Sequence, residues 1–174
     1  EQSGVDLWQI SREGGDPQLL LPCGSDWCTN PAYAPDGRTV AYSRRKSGAL
    51  QGEGPGVPRI WLIDLSTHAT DILFSNPGIG GFDPHWSPDG RHLAFFDGLS
   101  GGIRVLDVAA QTDFLLPSQM GTSGAWSPDS RYLAFTDTMM AASGPYVAVY
   151  IGDVQTQETR RILADDLNQV DYSS

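Results

Sequence analysis

Lysine is almost missing: Lys46 is the only one among eleven basic residues, and twenty-one acids leave a net charge of −10 over 174 residues. A chain so poor in cations has no footprint for a phosphate backbone, which excludes nucleic acid as a partner. Long hydrophobic runs are missing as well. Purely apolar stretches, such as Leu19–Leu21 and Ile60–Ile63, run to a few residues, far short of the ~20 residues of a spanning helix. There are only two cysteines, Cys23 and Cys28. The chain begins at Glu1 with neither a methionine nor a signal-like apolar segment, which leads us to expect a processed chain or one cut from something larger.

Turn formers, by contrast, are abundant. Twenty Gly and twelve Pro make up about 18% of the chain, against roughly 12% on average, which predicts many turns between short elements and no long helices. With 40% hydrophobic residues the chain can still build a buried core.

A repeat organises these elements. Tyr33-Ala-Pro-Asp-Gly-Arg-Thr-Val-Ala-Tyr42, Trp86-Ser-Pro-Asp-Gly-Arg-His-Leu-Ala-Phe95 and Trp126-Ser-Pro-Asp-Ser-Arg-Tyr-Leu-Ala-Phe135 are three copies of one pattern, and Tyr172-Ser-Ser174 begins a fourth. The Asp positions, Asp36, Asp89 and Asp129, are 53 and 40 residues apart, a period that suits a four-stranded propeller blade. Each copy leads to an alternating strand that ends in Asp and then to a second apolar strand. These pairs are Ile60–Asp64 with Ile72–Phe74, Ile103–Asp107 with Phe114–Leu116, and Val149–Asp153 with Ile162–Leu163. The chain opens with this half too, as Leu7–Ser11 and Leu19–Leu21, where Ser11 stands in the Asp position.

One unit therefore reads as strand A, tight turn, strand B, variable loop, strand C, turn, strand D. The aromatic at Tyr33, Trp86 or Trp126 ends strand A and is expected to bury its ring between neighbouring sheets. In the turn, Pro fixes φ, Asp bonds the backbone two residues on, and Gly accepts positive φ. Ser130 in place of that Gly suggests a strained or altered turn. In strand B, Ala41, Ala94 and Ala134 are small enough for the next sheet to approach closely, and Tyr42, Phe95 and Phe135 face the other side.

This signature resembles the TolB-type, WD40-like β-propeller repeat, and the resemblance runs from about Val5 to Ser174. It implies an all-β fold of four-stranded antiparallel blades, here an incomplete arc of about three and a half blades. The expected division is 5–22 for strands C and D of a first blade, blades at 29–74, 82–117 and 123–164, and the start of a further blade at 165–174. Proteins with such repeats serve as periplasmic scaffolds, as gating domains of prolyl-oligopeptidase-like serine peptidases, as sensors and occasionally as lyases, so the fold does not choose among them. An open arc leaves strand edges unpaired, and the rest of the same polypeptide or another chain is expected to complete the ring.

Cys23 and Cys28 share one short loop, and because relatives of this kind are commonly exported, a disulfide and an oxidising compartment are expected; two reduced thiols are the alternative. No cofactor or metal is implied. His68, His85 and His92 lie in unrelated repeat positions, structural zinc wants four ligands, and Asp36, Asp64, Asp89, Asp107, Asp129 and Asp153 read as turn acids without an oxygen-gathering calcium loop. No catalytic site is legible. Gly121-Thr-Ser-Gly-Ala125 fails as a serine elbow because Ala125 replaces the last Gly and no helix follows, Gly78-Ile-Gly-Gly81 is a lone glycine loop, and Asp83 with His85 reads as a solvated pair near the channel.

The expected function is a non-catalytic, extracytoplasmic binding or scaffold module, with the propeller portion of a larger enzyme such as a serine peptidase as the alternative. A–B and C–D turns lie on one face of the arc, and B–C and D–A loops on the other. All the irregularity falls on the second face: the Arg44–Pro58 insertion, the Cys23–Cys28 loop with Trp27, Ser75–Gly81 and the Met139–Met140 loop. A protein or small-ligand partner is therefore expected there, with Trp27, Arg44, Arg45 and Met139 as contacts.

Overall fold

A computed structural model describes residues 4–48, 56–142 and 144–162. The C-terminal positions 163–174, including Leu163 and Tyr172, lie outside the described residues. Three four-stranded antiparallel sheets follow one another, each strand paired with its neighbour in sequence. They are β3 (Trp27–Tyr33), β4 (Thr39–Arg45), β5 (Arg59–Asp64) and β6 (Thr70–Ile72); then β7 (Phe82–Trp86), β8 (His92–Asp97), β9 (Gly102–Asp107) and β10 (Thr112–Pro117); then β11 (Ala125–Trp126), β12 (Tyr132–Ala141), β13 (Gly144–Asp153) and β14 (Glu158–Arg161). A two-stranded sheet, β1 (Leu7–Gln9) with β2 (Gln18–Leu21), precedes them. Among the described residues there is no helix.

The core lies between sheets, and period-2 alternation in strand B builds it. Val40 and Tyr42 turn to the first sheet and pack with Leu7, Leu20 and the half-cystines. Their neighbour Ala41 turns the other way, towards Leu93 and Phe95 of the third sheet. Ala94 likewise meets Leu133 and Phe135 of the fourth. Both alanines are fully buried, as the close approach of the next sheet requires. Ala134, the third of the series, is only partly buried, because no described residue packs on the far side of the last sheet as a fifth would.

The turns share one hydrogen bond. Asp36, Asp89 and Asp129 each accept from the amide two residues on, that of Arg38, Arg91 or Arg131. Ser130 keeps the same turn with φ at +62°, next to +67° for Gly37 and +72° for Gly90. Its hydroxyl accepts from the Asp89 amide of the preceding blade at 3.0 Å, an interaction glycine could not make. The C–D turns are held in the same manner by Asp64, Asp107 and Asp153, and Ser11 does this work in the first sheet by accepting from Glu13. His68, Gln111 and Gln157 take the left-handed position four residues after each Asp. Both turn types lie on one face, where Arg91 meets Asp107 at 3.2 Å and Arg131 meets Asp153 at 2.9 Å.

Tyr33 departs from the expected burial. The Trp86 indole donates to the Ala32 carbonyl at 3.2 Å and the Trp126 indole to that of His85 at 3.0 Å, so each aromatic reaches strand A of the blade before it. The sheet before Tyr33 consists of strands C and D alone. Its ring has no strand A to cover and is 57% exposed. The outer face of that first sheet is uncovered too, with Trp8 and Ile10 both 60% exposed and Leu19 47%.

Candidate functional site

The residues expected to make contacts do not converge on one patch. Trp27 is not in a loop; it starts β3 and pairs with Arg45 of β4. Arg44 and Arg45 end β4 rather than opening the insertion, and successive strand residues point to opposite faces, so they cannot act as a pair. Arg44 turns to the Tyr42 side, where its guanidinium meets Asp26 at 2.8 Å and lies 5.1 Å from the Trp61 ring centre. Met139 and Met140 are strand residues in the long β12–β13 hairpin, paired with Tyr146 and Pro145. The ten-residue length of each strand, where the B and C strands of the second and third sheets have six or seven, absorbs what reads as a loop in the sequence. The Met139 sulfur accepts from the Tyr150 hydroxyl at 2.9 Å. Cys23 and Cys28 are joined by a disulfide across the entry to β3.

A polar cluster does form where the A strands meet. Asn30 and Asp83 occupy matching bulges in β3 and β7, each with φ near +55° (53° and 57°), a conformation Asn and Asp tolerate best after Gly. The Asp83 carboxylate accepts from Asn30 Nδ2 at 3.4 Å and from the Ser123 hydroxyl at 3.2 Å, and His85 Nε2 lies 3.2 Å away. The Asp83 amide donates to Ser43 Oγ at 3.1 Å. Asn30, Asp83 and Ser123 each stand three residues before the strand-A aromatic, so one repeat position links three blades. That shared position, small and polar in every copy, is the signal sequence reasoning passed over.

The order of these groups decides what they can do. In a nucleophilic triad the histidine stands between serine and carboxylate and takes the hydroxyl proton. Here the carboxylate stands between Ser123 and His85, so the hydroxyl donates to the carboxylate and, among the described residues, no histidine nitrogen is bonded to it. The cluster ties blades together.

The turn acids are likewise committed. The Ser66 hydroxyl, followed by the Thr67 and Ser66 amides, holds Asp64 down to about 2. The Ala110 amide lowers Asp107, and the Arg131 guanidinium lowers Asp153. His92 is also lowered, chiefly by burial, with Asp107 partly opposing; its ring stacks on Trp126 at 5.9 Å. These shifts act on stability in the same direction. The unfolded chain takes up the His92 proton first as pH falls below about 6.5, and the aspartates' contribution is lost as pH falls through their folded values, near 2 for Asp64. Urea midpoints measured from pH 7 to pH 3 should therefore fall throughout, and His92→Gln should flatten the part between pH 7 and 5.

These observations define a β-propeller segment: sequential antiparallel blades joined through their faces and through their A strands. No protein-family model matches the chain. The Tol-Pal system protein TolB of Alcanivorax borkumensis is 40% identical over 65 residues, which are 37% of this chain and 13% of that protein. The uncharacterized peptidase YuxL of Bacillus subtilis is 36% identical over 78 residues, 45% of this chain and 11% of that one. The matches thus span only about an eighth of the curated relatives' length. The crystal structure of TolB from Acinetobacter baumannii superposes with a TM-score of 0.62 at 24% identity, over 92% of this chain and 38% of that one. The fold of this chain is that of a TolB-like β-propeller.

Proposed function

We propose that the chain is part of a non-catalytic, extracytoplasmic interaction scaffold built on a TolB-like propeller. The observation that carries this reading is how the polar groups are used: Asp83, Ser123 and the repeated turn aspartates are bound up in holding blades and turns. The likeness to TolB supports it, and the Cys23–Cys28 disulfide fits an oxidising compartment. The partner is a protein or small ligand on the face of the B–C and D–A loops. The remainder of the same polypeptide, or else another chain, covers the open faces at Trp8 and at Ala134.

The second reading, a propeller attached to a peptidase, draws on the match to YuxL. Incubating the intact protein with fluorescent casein and a panel of peptidyl-aminomethylcoumarins separates the two. The scaffold reading expects no release above the blank; hydrolysis abolished by a fluorophosphonate would establish the peptidase reading instead.

A further inference from the structure

On a chain of net charge −10, three of the few cations converge on one cleft. Arg44, Lys46 and Arg59 line a cavity of about 330 Å³ together with Trp61, Ile72 and Pro77. The Arg59 guanidinium is fixed in place by donating to the Phe74 and Asn76 carbonyls at 2.7 and 2.6 Å. Those acceptors orient its charge without neutralising it. Asp26 neutralises Arg44, but among the described residues no carboxylate lies within 4 Å of Lys46 or Arg59. Counting the described residues alone, the cleft keeps a local surplus of two positive charges over an aromatic floor.

Val57 forms the wall between this cleft and a second cavity of about 280 Å³, which is apolar and lined by Pro58, Phe82, Phe96 and Leu99. A partner filling both needs a carboxylate and an apolar group held a short distance apart on one backbone. An extended peptide supplies them on residues two apart, which share one face at roughly 3.3 Å of rise per residue. The chain's net charge of −10 disfavours such a segment over much of the rest of the surface.

We propose that the Arg44–Lys46–Arg59–Trp61 cleft and the adjoining Phe82–Phe96–Leu99 cavity bind an acidic peptide segment of a partner protein, one carboxylate in the first and one apolar side chain in the second. This rests on the reading of the chain as an interaction module.

The test is selection of a displayed random heptapeptide library against the intact protein and against its Lys46→Glu variant, whose altered side chain is exposed. The enriched peptides are then measured by fluorescence anisotropy at low and high salt. We expect wild-type protein to enrich peptides pairing Asp or Glu with a large apolar residue, and Lys46→Glu to bind them ~10-fold or more weakly, with affinity falling as salt rises. Arg59→Gln should do the same where its thermal transition shows it folded. No enrichment, or enriched peptides indifferent to Lys46→Glu, overturns the cleft assignment. Mass spectrometry of the recovered peptides keeps the two readings apart: cleaved peptide contradicts the scaffold reading, and intact peptide that ignores the variants contradicts the cleft alone.

Discussion

Asp97→Ala should cost about 3–5 kcal/mol of unfolding free energy, the range for removing one partner of a buried ion pair, and lower Tm by roughly 10 °C. The Asp97 side chain is fully buried and accepts bonds from the Gly80, Leu99 and Ser100 amides at 3.1–3.2 Å, from the Ser100 hydroxyl at 2.7 Å, and from Arg104 at 2.7 and 3.0 Å. Burial alone would raise its pKa; the bonds from Ser100 and Arg104 outweigh it and hold the carboxyl below the ordinary range. Alanine leaves three amides and a hydroxyl without acceptors, and Arg104 keeps Asp113 as its only carboxylate together with the Ser100 hydroxyl. The Gly80 bond reaches the loop that enters this blade from the preceding one, so the damage spreads across the blade junction. Urea unfolding measures the loss; a cost below about 1 kcal/mol would show that water replaces the carboxylate, contrary to this account.

Phe95→Ala should cost a similar amount, about 3–5 kcal/mol. The ring is fully buried between the second and third sheets and lies 5.9 Å from that of Phe74 at a tilt of 53°. Neither sheet can collapse into the gap, because the strand-B backbone on each side is pinned by its ladder and by the Ala41 approach. Differential calorimetry should show one cooperative transition at lower temperature. An unchanged transition would mean that the blades unfold independently and that the inter-sheet contacts contribute little.

These two sites differ in how visible they are from the sequence. Phe95 is legible because an aliphatic-Ala-aromatic triplet, Val-Ala-Tyr once and Leu-Ala-Phe twice, recurs after each turn and alternation alone assigns its side. Asp97 is not: it lies just past the repeat, and its partners come from Gly80 in the preceding loop and from Arg104 across the β8–β9 turn, a convergence that exists only once strands pair. The same holds for the contact residues. Trp27, Arg44 and Met139 belong to segments whose strands run beyond the repeated motif, and the pairing that places Trp27 opposite Arg45 is a matter of register, which local composition does not encode. Tyr33 was misjudged for a further reason. Its environment depends on the sheet before it, and the repeat describes the ring's own strand but not what the neighbouring sheet contains. The cleft at Arg59 was hidden likewise, since Arg44 and Arg59 are neighbours only through β4–β5 pairing.

Among the described residues the blades form an open arc with both outer faces uncovered, a claim that sedimentation velocity of the isolated 174-residue chain checks. The exposed Trp8, Ile10 and Leu19 at one end and the half-covered Ala134 face at the other predict concentration-dependent self-association or loss from solution. A single, stable monomeric boundary across the concentration range would contradict the claim.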